Sequence, residues 1–257
     1  MAFVKTEVQG AVEIITIDRP KALNALNPEV LADLKAAFEA VDQSAIRCIV
    51  LTGEGDKSFV AGADIGSMST MTKAEGEAFG KLGNDVFLMI ESFPIPVIAA
   101  VNGFALGGGN ELAMSCDIRL CADTAVFGQP EAGLGITPGF GGTQRLARLV
   151  GMGMAKQLIY TAKNIKADEA LRIGLVNAVY PLEELMPAAE KMAETIAKNA
   201  PIAVRACKKA INDGMQVDID RAVAIEEGLF GSCFETADQK EGMGAFLEKR
   251  TAAFRNR

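Results

Sequence analysis

The sequence predicts an α/β fold built on parallel strands. In the first half of the chain, strand-like runs rich in Val and Ile alternate with stretches whose apolar residues have helical spacing. The run at residues 97–101, VIAAV, is apolar throughout, which is typical of a strand buried on both faces of a sheet. After about residue 141 the pattern becomes mostly helical. We therefore expect an α/β core, with a helical tail that packs on the core or on a neighbouring subunit.

The elements of the first half each carry a local signal. A strand is predicted at 11–17, where AVEIITI is β-branched and Asp18-Arg19-Pro20 ends it. Asn27-Pro28 opens a helix with proline at its first position. Further strands are predicted at 46–52, 97–101, 118–121 and 125–127, and further helices at 73–91 and from Gly107 to about Cys116.

The second half is predicted to hold seven helices and one strand. The strand is expected at 175–179, just before Pro181. The helices are expected at 143–150, 152–162, 167–173, 182–198, 201–213, 219–233 and 237–250.

The composition excludes several kinds of chemistry. The 257 residues contain no histidine, so Ser-His-Asp and Cys-His nucleophile systems and His-ligated zinc or haem are excluded. Acid–base chemistry must then use Glu, Asp, Lys, Tyr or Cys, and with two tyrosines the carboxylates lead. A net charge of -7 argues against a nucleic-acid or anionic-membrane partner.

The five cysteines predict reduced thiols. They form no CxxC and their number is odd, so a disulfide framework and a cysteine metal site are both disfavoured. The N-terminus lacks the pattern of a secretory or transit peptide, and no apolar run is long enough for a membrane span. We expect a cytoplasmic protein.

Two isolated carboxylates stand out as candidate catalytic groups. Glu111 is the only charged residue in 95–116, and Glu131 is the only one in 126–144. Both segments are apolar and rich in glycine, and a lone buried carboxylate is costly unless it is paired, protonated or functional. Burial and a second carboxylate nearby would each raise a pKa, which would suit an acid–base pair. The alternative is that each is a solvated loop residue or a buried cap.

A triple glycine is the second signal. Gly107-Gly108-Gly109 follows a predicted buried strand and opens a helix, where free N–H groups favour a phosphate or a developing oxyanion. The alternative is a tight strand-to-helix turn with close packing. No GxGxxG and no P-loop occurs, so a nicotinamide, flavin or ATP site has no support. The segments 61–64 and 139–142 are interpreted as turns.

Taken together, these segments resemble the enoyl-CoA hydratase (crotonase) family. Each motif is weak alone, but the ordered set spans essentially the whole chain and is specific. It is most similar to bacterial short-chain members that dehydrate 3-hydroxybutyryl-CoA to crotonyl-CoA. The matching segments are RPKALNAL (19–26), FVAGADI (59–65), VIAAVNGFALGGG (97–109), ELA (111–113), CD (116–117), FGQPE (127–131) and PGFGGTQRL (138–146).

The resemblance implies a spiral of ββα turns, with the core at 1–195 and a C-terminal helical trimerisation region at 196–257. It implies a homo-oligomer, as a dimer of trimers, and a CoA thioester substrate that is hydrated reversibly. Neither a redox cofactor nor a metal is implied.

The resemblance also assigns the site. Glu111 and Glu131 match the two catalytic glutamates, and which of them activates water at Cβ and which delivers the proton at Cα stays open. The backbone N–H groups of Ala63 and Gly108 match the oxyanion hole that stabilises an enolate-like charge. Gly139 matches a backbone position that helps to hold the water, and Gln129 matches a residue that positions the second glutamate.

The CoA contacts implied by the resemblance come from three places. Lys21, Ala22 and Leu23 match the segment along the pantetheine and nucleotide, and Ala61 and Ile65 match the adenine pocket. Lys249 matches a residue that reaches CoA phosphate from a neighbouring subunit. The sequence departs from the pattern at Gly66, where some members carry lysine and a phosphate contact is expected to be lost. It also departs at Asn110, where a small residue is usual.

Alternative functions remain within and outside the family. Isomerases of Δ3-enoyl-CoA generally keep one acidic base, and thioester hydrolases, dehalogenases and synthases carry other groups, so both glutamates together favour hydration. A non-catalytic RNA-binding role would need a basic helix. The most basic helical stretch, at 205–209, is short and is interpreted as a solvated face. A C4 acyl preference is expected, with 66–80 and 230–234 as candidates for closing the pocket.

Overall fold

The structure is a computed structural model that describes residues 1–257, and it contains two sheets surrounded by helices. The strands are β1 (Val4–Gln9), β2 (Val12–Ile17), β3 (Cys48–Gly53), β4 (Ser58–Val60), β5 (Val97–Val101), β6 (Phe104–Leu106), β7 (Ile118–Ala122), β8 (Val126–Gly128), β9 (Ile165–Lys166) and β10 (Ala178–Tyr180). One sheet has the order β1-β2-β3-β5-β7-β10, and the other has the order β4-β6-β8-β9.

Eleven α-helices and two 3-10 helices connect and cover the sheets. The 3-10 helices lie at Pro20–Ala22 and Pro130–Leu134. The α-helices are α1 (Pro28–Glu39), α2 (Ile65–Met68), α3 (Lys73–Glu91), α4 (Gly108–Ser115), α5 (Gly142–Val150), α6 (Met152–Thr161), α7 (Ala167–Arg172), α8 (Leu182–Ala197), α9 (Pro201–Gly214), α10 (Ile219–Cys233) and α11 (Ala237–Leu247).

The expected spiral of ββα turns is confirmed by the strand order. β3 and β4, then β5 and β6, then β7 and β8 each place one strand in the large sheet and the next in the small one. All pairs in the path β2-β3-β5-β7-β10 are parallel, and so are β4-β6 and β6-β8. The chain thus winds between the two sheets, and α3 and α4 close the first two turns.

Four strands, β1, β4, β6 and β9, were not predicted, because their local signals are weak, and β9 is only two residues long. β1 is an antiparallel edge strand in which only Val4 is buried. β4 and β6 are three residues long, too short to show an alternating pattern. These short strands matter for the site, since they lead directly into the segments at 61–64 and 107–109.

The large sheet is buried on both faces, as the VIAAV run predicts. Val97, Ala99 and Val101 of β5 pack in the larger apolar cluster, with α1 and α3. Ile98 and Ala100 face the opposite way and pack in a smaller cluster against α8. Successive side chains of a strand point to opposite faces, so an unbroken apolar strand requires a layer on each side.

The main helices begin where capping residues satisfy their first N–H groups. Asn27 accepts a hydrogen bond from the Val30 N–H at 2.8 Å, ahead of Pro28. Thr72 and Glu75 form a capping box at the start of α3. The helical bounds of the second half agree with the predicted ones to within three residues.

The C-terminal helices α9–α11 are held to the core by few groups. Lys208 of α9 donates to the carboxylate of Asp117 at 2.7 Å, and both side chains are largely buried. α10 contains no buried residue. The predicted boundary at 195 falls in the last turn of α8, which packs on the large sheet. The division into two domains stays a prediction.

Large apolar side chains are exposed along this C-terminal region. They include Ile219, Phe230, Phe234, Phe246 and Leu247, of which Phe246 is 83% exposed. None of the helices in the protein combines the length and the apolar character needed to cross a membrane.

Candidate active site

A cavity of about 690 Å³ lies where the two sheets' connecting segments meet. The loop at 61–65, the start of α4, the 3-10 helix Pro130–Leu134 and the turn at 139–140 all line it. Met68, Met71 and Phe79 add an apolar wall. Four segments that are distant in sequence therefore surround one space, and Glu111 and Glu131 both face it.

Glu111 lies in the first turn of α4, a helix in which every residue is buried. Its Oε1 accepts hydrogen bonds from the backbone N–H groups of Phe140, at 2.9 Å, and Gly142, at 2.6 Å. Its Oε2 makes no hydrogen bond to the protein, and the residue lines the cavity. One oxygen therefore holds the carboxylate in place while the other is free for a ligand.

Glu131 faces the same cavity from the 3-10 helix. It is 8% exposed, and its Oε2 is buried without a hydrogen-bond partner. A buried oxygen with no partner is costly, which is typical of a group that completes its hydrogen bonds with a ligand or water. The structure thus excludes the alternative that either glutamate is a solvated loop residue.

The surroundings raise the pKa of both carboxyl groups. Burial, together with the nearby charge of Glu131, raises the pKa of Glu111 to about 7. The N–H groups of Gly142 and Phe140 and the charge of Arg145 oppose that rise. Burial also raises the pKa of Glu131. Near neutral pH the pair can hold a proton as well as accept one, which acid–base catalysis requires.

The backbone N–H groups of Ala63 and Gly108 are free at the cavity wall. The Leu26 N–H donates to the carbonyl of Gly62, and the Leu26 carbonyl accepts from the N–H of Asp64, at 2.8 Å each. The Ala63 N–H, which lies between these two bonds, makes no backbone hydrogen bond. Gly108 is the first residue of α4, so its N–H has no acceptor within the helix. Both residues line the cavity. The structure therefore brings to one cavity the two donors that the resemblance matches to an oxyanion hole.

Gly107 makes this arrangement possible. Its φ of +48° is unfavourable for residues with a Cβ, and a Cβ there would lie 2.6 Å from Oε1 of Glu131. Its N–H bonds to the carbonyl of Gly128 at 2.9 Å, which ties the start of α4 to β8. The triple glycine is thus a tight turn as well as a source of free donors.

Gln129 is buried but makes no hydrogen bond to Glu131, so its expected role in positioning that residue is not what the structure shows. In the amide orientation that satisfies its hydrogen bonds, its nitrogen donates to the carbonyls of Gly107 and Gly128, at 3.1 Å each. Gln129 therefore contacts the peptide that carries the Gly108 N–H. Gly139 lines the cavity, and its role in holding the water stays a prediction.

The positions assigned to CoA fall into three groups. Ala61 and Ile65 line the cavity. Lys21, Ala22 and Leu23 do not, but they adjoin it, because the Ala61 N–H donates to the carbonyl of Leu23 at 3.0 Å. Lys249 follows α11 and does not line the cavity of its own chain.

The two departures from the family pattern have different surroundings. Gly66 is exposed in α2, and a Cβ at this position would lie 3.3 Å from Oδ1 of Asp64. Asn110 is buried beside Glu111, and its Oδ1 has no hydrogen-bond partner.

Sequence reasoning missed the two residues that hold Glu111. The N–H groups of Phe140 and Gly142 are backbone groups, and nothing in a residue type reveals which way they point. The available signal is the glycine cluster after Pro138, which is interpreted from the sequence as a turn and from which the resemblance assigns only Gly139 to the site.

The interpretation of the basic stretch at 205–209 as a solvated face holds for Cys207 and Lys209, which are exposed, but is wrong for Lys208. Lys208 is paired with Asp117 and is only 8% exposed. Arg205 donates to the carbonyl of Gln43, and Lys209 pairs with Asp213. These cations serve contacts within the chain.

Comparison with known proteins agrees with this geometry. The family described as enoyl-CoA hydratase/isomerase matches residues 7–257. A short-chain-enoyl-CoA hydratase of Clostridium acetobutylicum is 61% identical over 253 residues, which cover 98% of this chain and 97% of that protein. A crotonyl-CoA hydratase of Syntrophomonas wolfei is 60% identical over 249 residues, 96% of each chain.

A solved structure shows the same fold. The enoyl-CoA hydratase of Bacillus anthracis superposes with a TM-score of 0.96 at 40% identity, over 99% of this chain and 100% of that one. Because the family match and these relatives cover nearly the whole chain, the protein belongs to the enoyl-CoA hydratase/isomerase family.

Proposed function

We propose that this protein hydrates short-chain trans-2-enoyl-CoA thioesters reversibly to 3-hydroxyacyl-CoA, with crotonyl-CoA and 3-hydroxybutyryl-CoA as the main pair. The observation that carries the proposal is that two buried glutamates and two free backbone N–H groups surround one cavity. The names of the relatives at 60% identity and above support the same reaction.

The thioester carbonyl is placed between the N–H groups of Ala63 and Gly108. As water adds to Cβ, negative charge develops on that oxygen in an enolate-like state. Two fixed donors stabilise this charge without reorganising, which is where oxyanion holes gain most of their effect. The rigid turn at Gly107 and the bridge to Leu26 hold these donors in position.

The two glutamates transfer the protons. One accepts a proton from the water as its oxygen bonds to Cβ, and the other donates a proton to Cα, so that the sum is addition of one water. In dehydration the same protons move in reverse. The free Oε2 of Glu111 and the unpartnered Oε2 of Glu131 are the atoms offered for this work. Both directions of transfer are favoured because burial raises the pKa of both carboxyl groups, that of Glu111 to about 7.

The CoA portion is proposed to leave the cavity past Ala61 and Ile65 and along Lys21, Ala22 and Leu23. Lys249 would reach CoA only from a neighbouring subunit, since it does not line the cavity of its own chain. A homo-oligomer, as a dimer of trimers, fits the apolar side chains exposed on α10 and α11, because such surface is usually covered.

The acyl end is proposed to lie against Met68, Met71 and Phe79. Phe79 packs edge-on against Phe140, with ring centroids 5.1 Å apart, beside the turn that holds Glu111. This wall supports a preference for short acyl chains.

The glutamates and N–H donors supply all the groups the reaction needs, so no cofactor or metal is proposed. Free thiols at all five cysteines support a cytoplasmic location.

The test is the loss of crotonyl-CoA absorbance with purified protein, in buffer containing a chelator and no added cofactor, beside the Glu131→Gln variant. We expect rapid loss with the wild-type protein and almost none with the variant. No loss with the wild-type protein would refute the proposal, and 3-enoyl-CoA isomerisation and free-thiol release would then be measured.

A further inference from the structure

The turn at 139–142, which binds Glu111, is itself bound from behind by a side chain of α3. Nδ2 of Asn84 donates to the carbonyl of Gly139 at 2.8 Å and to that of Gly80, in its own helix, at 2.9 Å. The Gly139 carbonyl and the Phe140 N–H belong to one planar peptide and point in opposite directions. Asn84 and Glu111 therefore bind the two ends of the same peptide.

Arg145 binds the next peptide of the turn. Its Nη1 donates to the carbonyl of Phe140 at 2.9 Å. Its Nε and Nη2 both donate to Oε2 of Glu91, the last residue of α3, at 3.0 and 2.7 Å. Arg145 is almost fully buried, with a side chain 9% exposed. The peptide between Phe140 and Gly141 lies between the two N–H groups that donate to Glu111. Its orientation therefore sets the direction of both N–H groups.

Aromatic packing fixes the turn against the same helix. The ring of Phe140 contacts Phe79 and Phe87 edge-on, with centroids 5.1 and 5.6 Å away. Gly83 lies directly against this ring, and a Cβ at that position would clash with it. The turn is thus attached to α3 by polar groups on one side and by aromatic rings on the other.

We propose that Asn84 and the Arg145–Glu91 pair are positioning residues for the reaction, which hold the peptides of the 139–142 turn so that its N–H groups fix the Glu111 carboxylate. This proposal rests on the proposed hydratase function. Asn84, Glu91 and Arg145 do not line the cavity, so they act through the turn. Hydrogen bonds in such a chain reinforce one another, so that a donor to the Gly139 carbonyl strengthens the Phe140 N–H as a donor.

The charged groups near Glu111 shift the pKa of its carboxyl group. The charged groups that face it are Glu131, from the 3-10 helix, and Arg145, from α5, while α4 carries no other charge. The N–H groups of the turn and the charge of Arg145 both lower the pKa of Glu111. Loosening the turn or removing Arg145 would therefore raise that pKa.

The test compares Asn84→Ala and Arg145→Gln with the wild-type protein, using crotonyl-CoA hydration across pH. We expect kcat to fall about 10- to 100-fold while KM changes by less than about 3-fold, because an ångström of misplacement affects the transition state more than binding. We also expect the limb of the pH profile set by Glu111 to move to higher pH in both variants. Arg145→Lys should keep the positive charge but lose the several fixed hydrogen bonds of the guanidinium group. Its pH profile should therefore lie closer to that of the wild-type protein than its kcat does.

The matched control is Arg119→Gln. Arg119 is as buried as Arg145 and also donates to backbone carbonyls, those of Leu175 and Cys116, away from the cavity. It should lower the melting temperature without moving the pH profile. Wild-type kcat and pH profile in folded Asn84 and Arg145 variants would overturn the proposal. So would an equal shift in the Arg119 variant.

A second measurement separates this proposal from the function itself. If wild-type protein fails to hydrate crotonyl-CoA, the proposed function falls. The pKa of Glu111 can still be followed by carbon NMR of labelled glutamate in the same variants. A raised pKa in both would support the positioning role, and an unchanged pKa would overturn it.

Discussion

The Gly142 N–H donates to Oε1 of Glu111 over 2.6 Å, so the first residue of α5 holds a carboxylate that α4 carries. The two residues are 31 positions apart in sequence. This contact fixes one oxygen of Glu111 and leaves the other facing the cavity. It also stabilises the ionised carboxylate in a site whose burial opposes ionisation.

Replacing either cavity glutamate with glutamine should abolish proton transfer. For Glu111→Gln and Glu131→Gln we expect kcat to fall about 10²- to 10⁴-fold with crotonyl-CoA. CoA binding, measured by calorimetry, should stay nearly unchanged. Glu13→Gln is the matched control, since Glu13 is also buried, with its pKa raised by burial, but lies in β2. Near-normal turnover in either cavity variant would contradict the assignment.

The stability of the protein should respond to the protonation of Glu111. The folded pKa of about 7 lies above the ordinary value of 4.5, so the stability tied to the protonated carboxyl is fully present below about pH 4.5 and is lost as pH rises from there to about 7. Glutamine mimics the protonated form. Glu111→Gln should therefore be more stable than the wild-type protein at pH 8, by roughly 1 kcal/mol or more. Urea unfolding at pH 5 and pH 8 would measure this, and no gain at pH 8 would count against it.

Gly107→Ala should damage the site more than it damages the fold. The added Cβ meets Oε1 of Glu131 at 2.6 Å, and φ is +48°. We expect a loss of about 1–3 kcal/mol in stability from strain and a larger, separate loss of kcat. Gly151→Ala has a φ of +81° with nothing nearby, so it carries the strain alone. If both variants lose kcat equally, the contact with Glu131 has no special role.

The acyl wall should set chain length. Met68→Ala and Met71→Ala would enlarge the cavity beside Phe79. We expect kcat/KM for C8 relative to C4 enoyl-CoA to rise by about 10-fold, as one or two methylene groups accommodated in a pocket usually contribute. Met152→Ala, at a side chain 70% exposed, is the control. An unchanged ratio would place the acyl end elsewhere.

The apolar surface on α11 should hold subunits together. Phe246 is 83% exposed in the single chain, so Phe246→Glu would place a charge in the proposed interface. We expect sedimentation to show smaller species than for the wild-type protein, together with a raised KM for crotonyl-CoA. A wild-type protein that sediments as a monomer would refute the proposed oligomer.

Local patterns were sufficient to predict most elements. The run VIAAV predicted a strand with two buried faces, and α3 was predicted with its observed bounds, because apolar periodicity reports burial directly. The isolated glutamates were also recognisable, since a charge missing from all neighbours implies a buried setting. The short strands β4 and β6 were not predicted, because three residues carry too little periodicity.

The sequence by itself determined the fold class, the two cavity glutamates and the glycine turn beside them. Residue type and spacing carry that information. Only the tertiary structure decided which groups hold Glu111, where Gln129 points and that Lys208 is buried against Asp117. These are contacts of backbone N–H and C=O groups and of side chains from distant segments. Every residue offers the same backbone groups, so their direction is fixed only when the chain has folded.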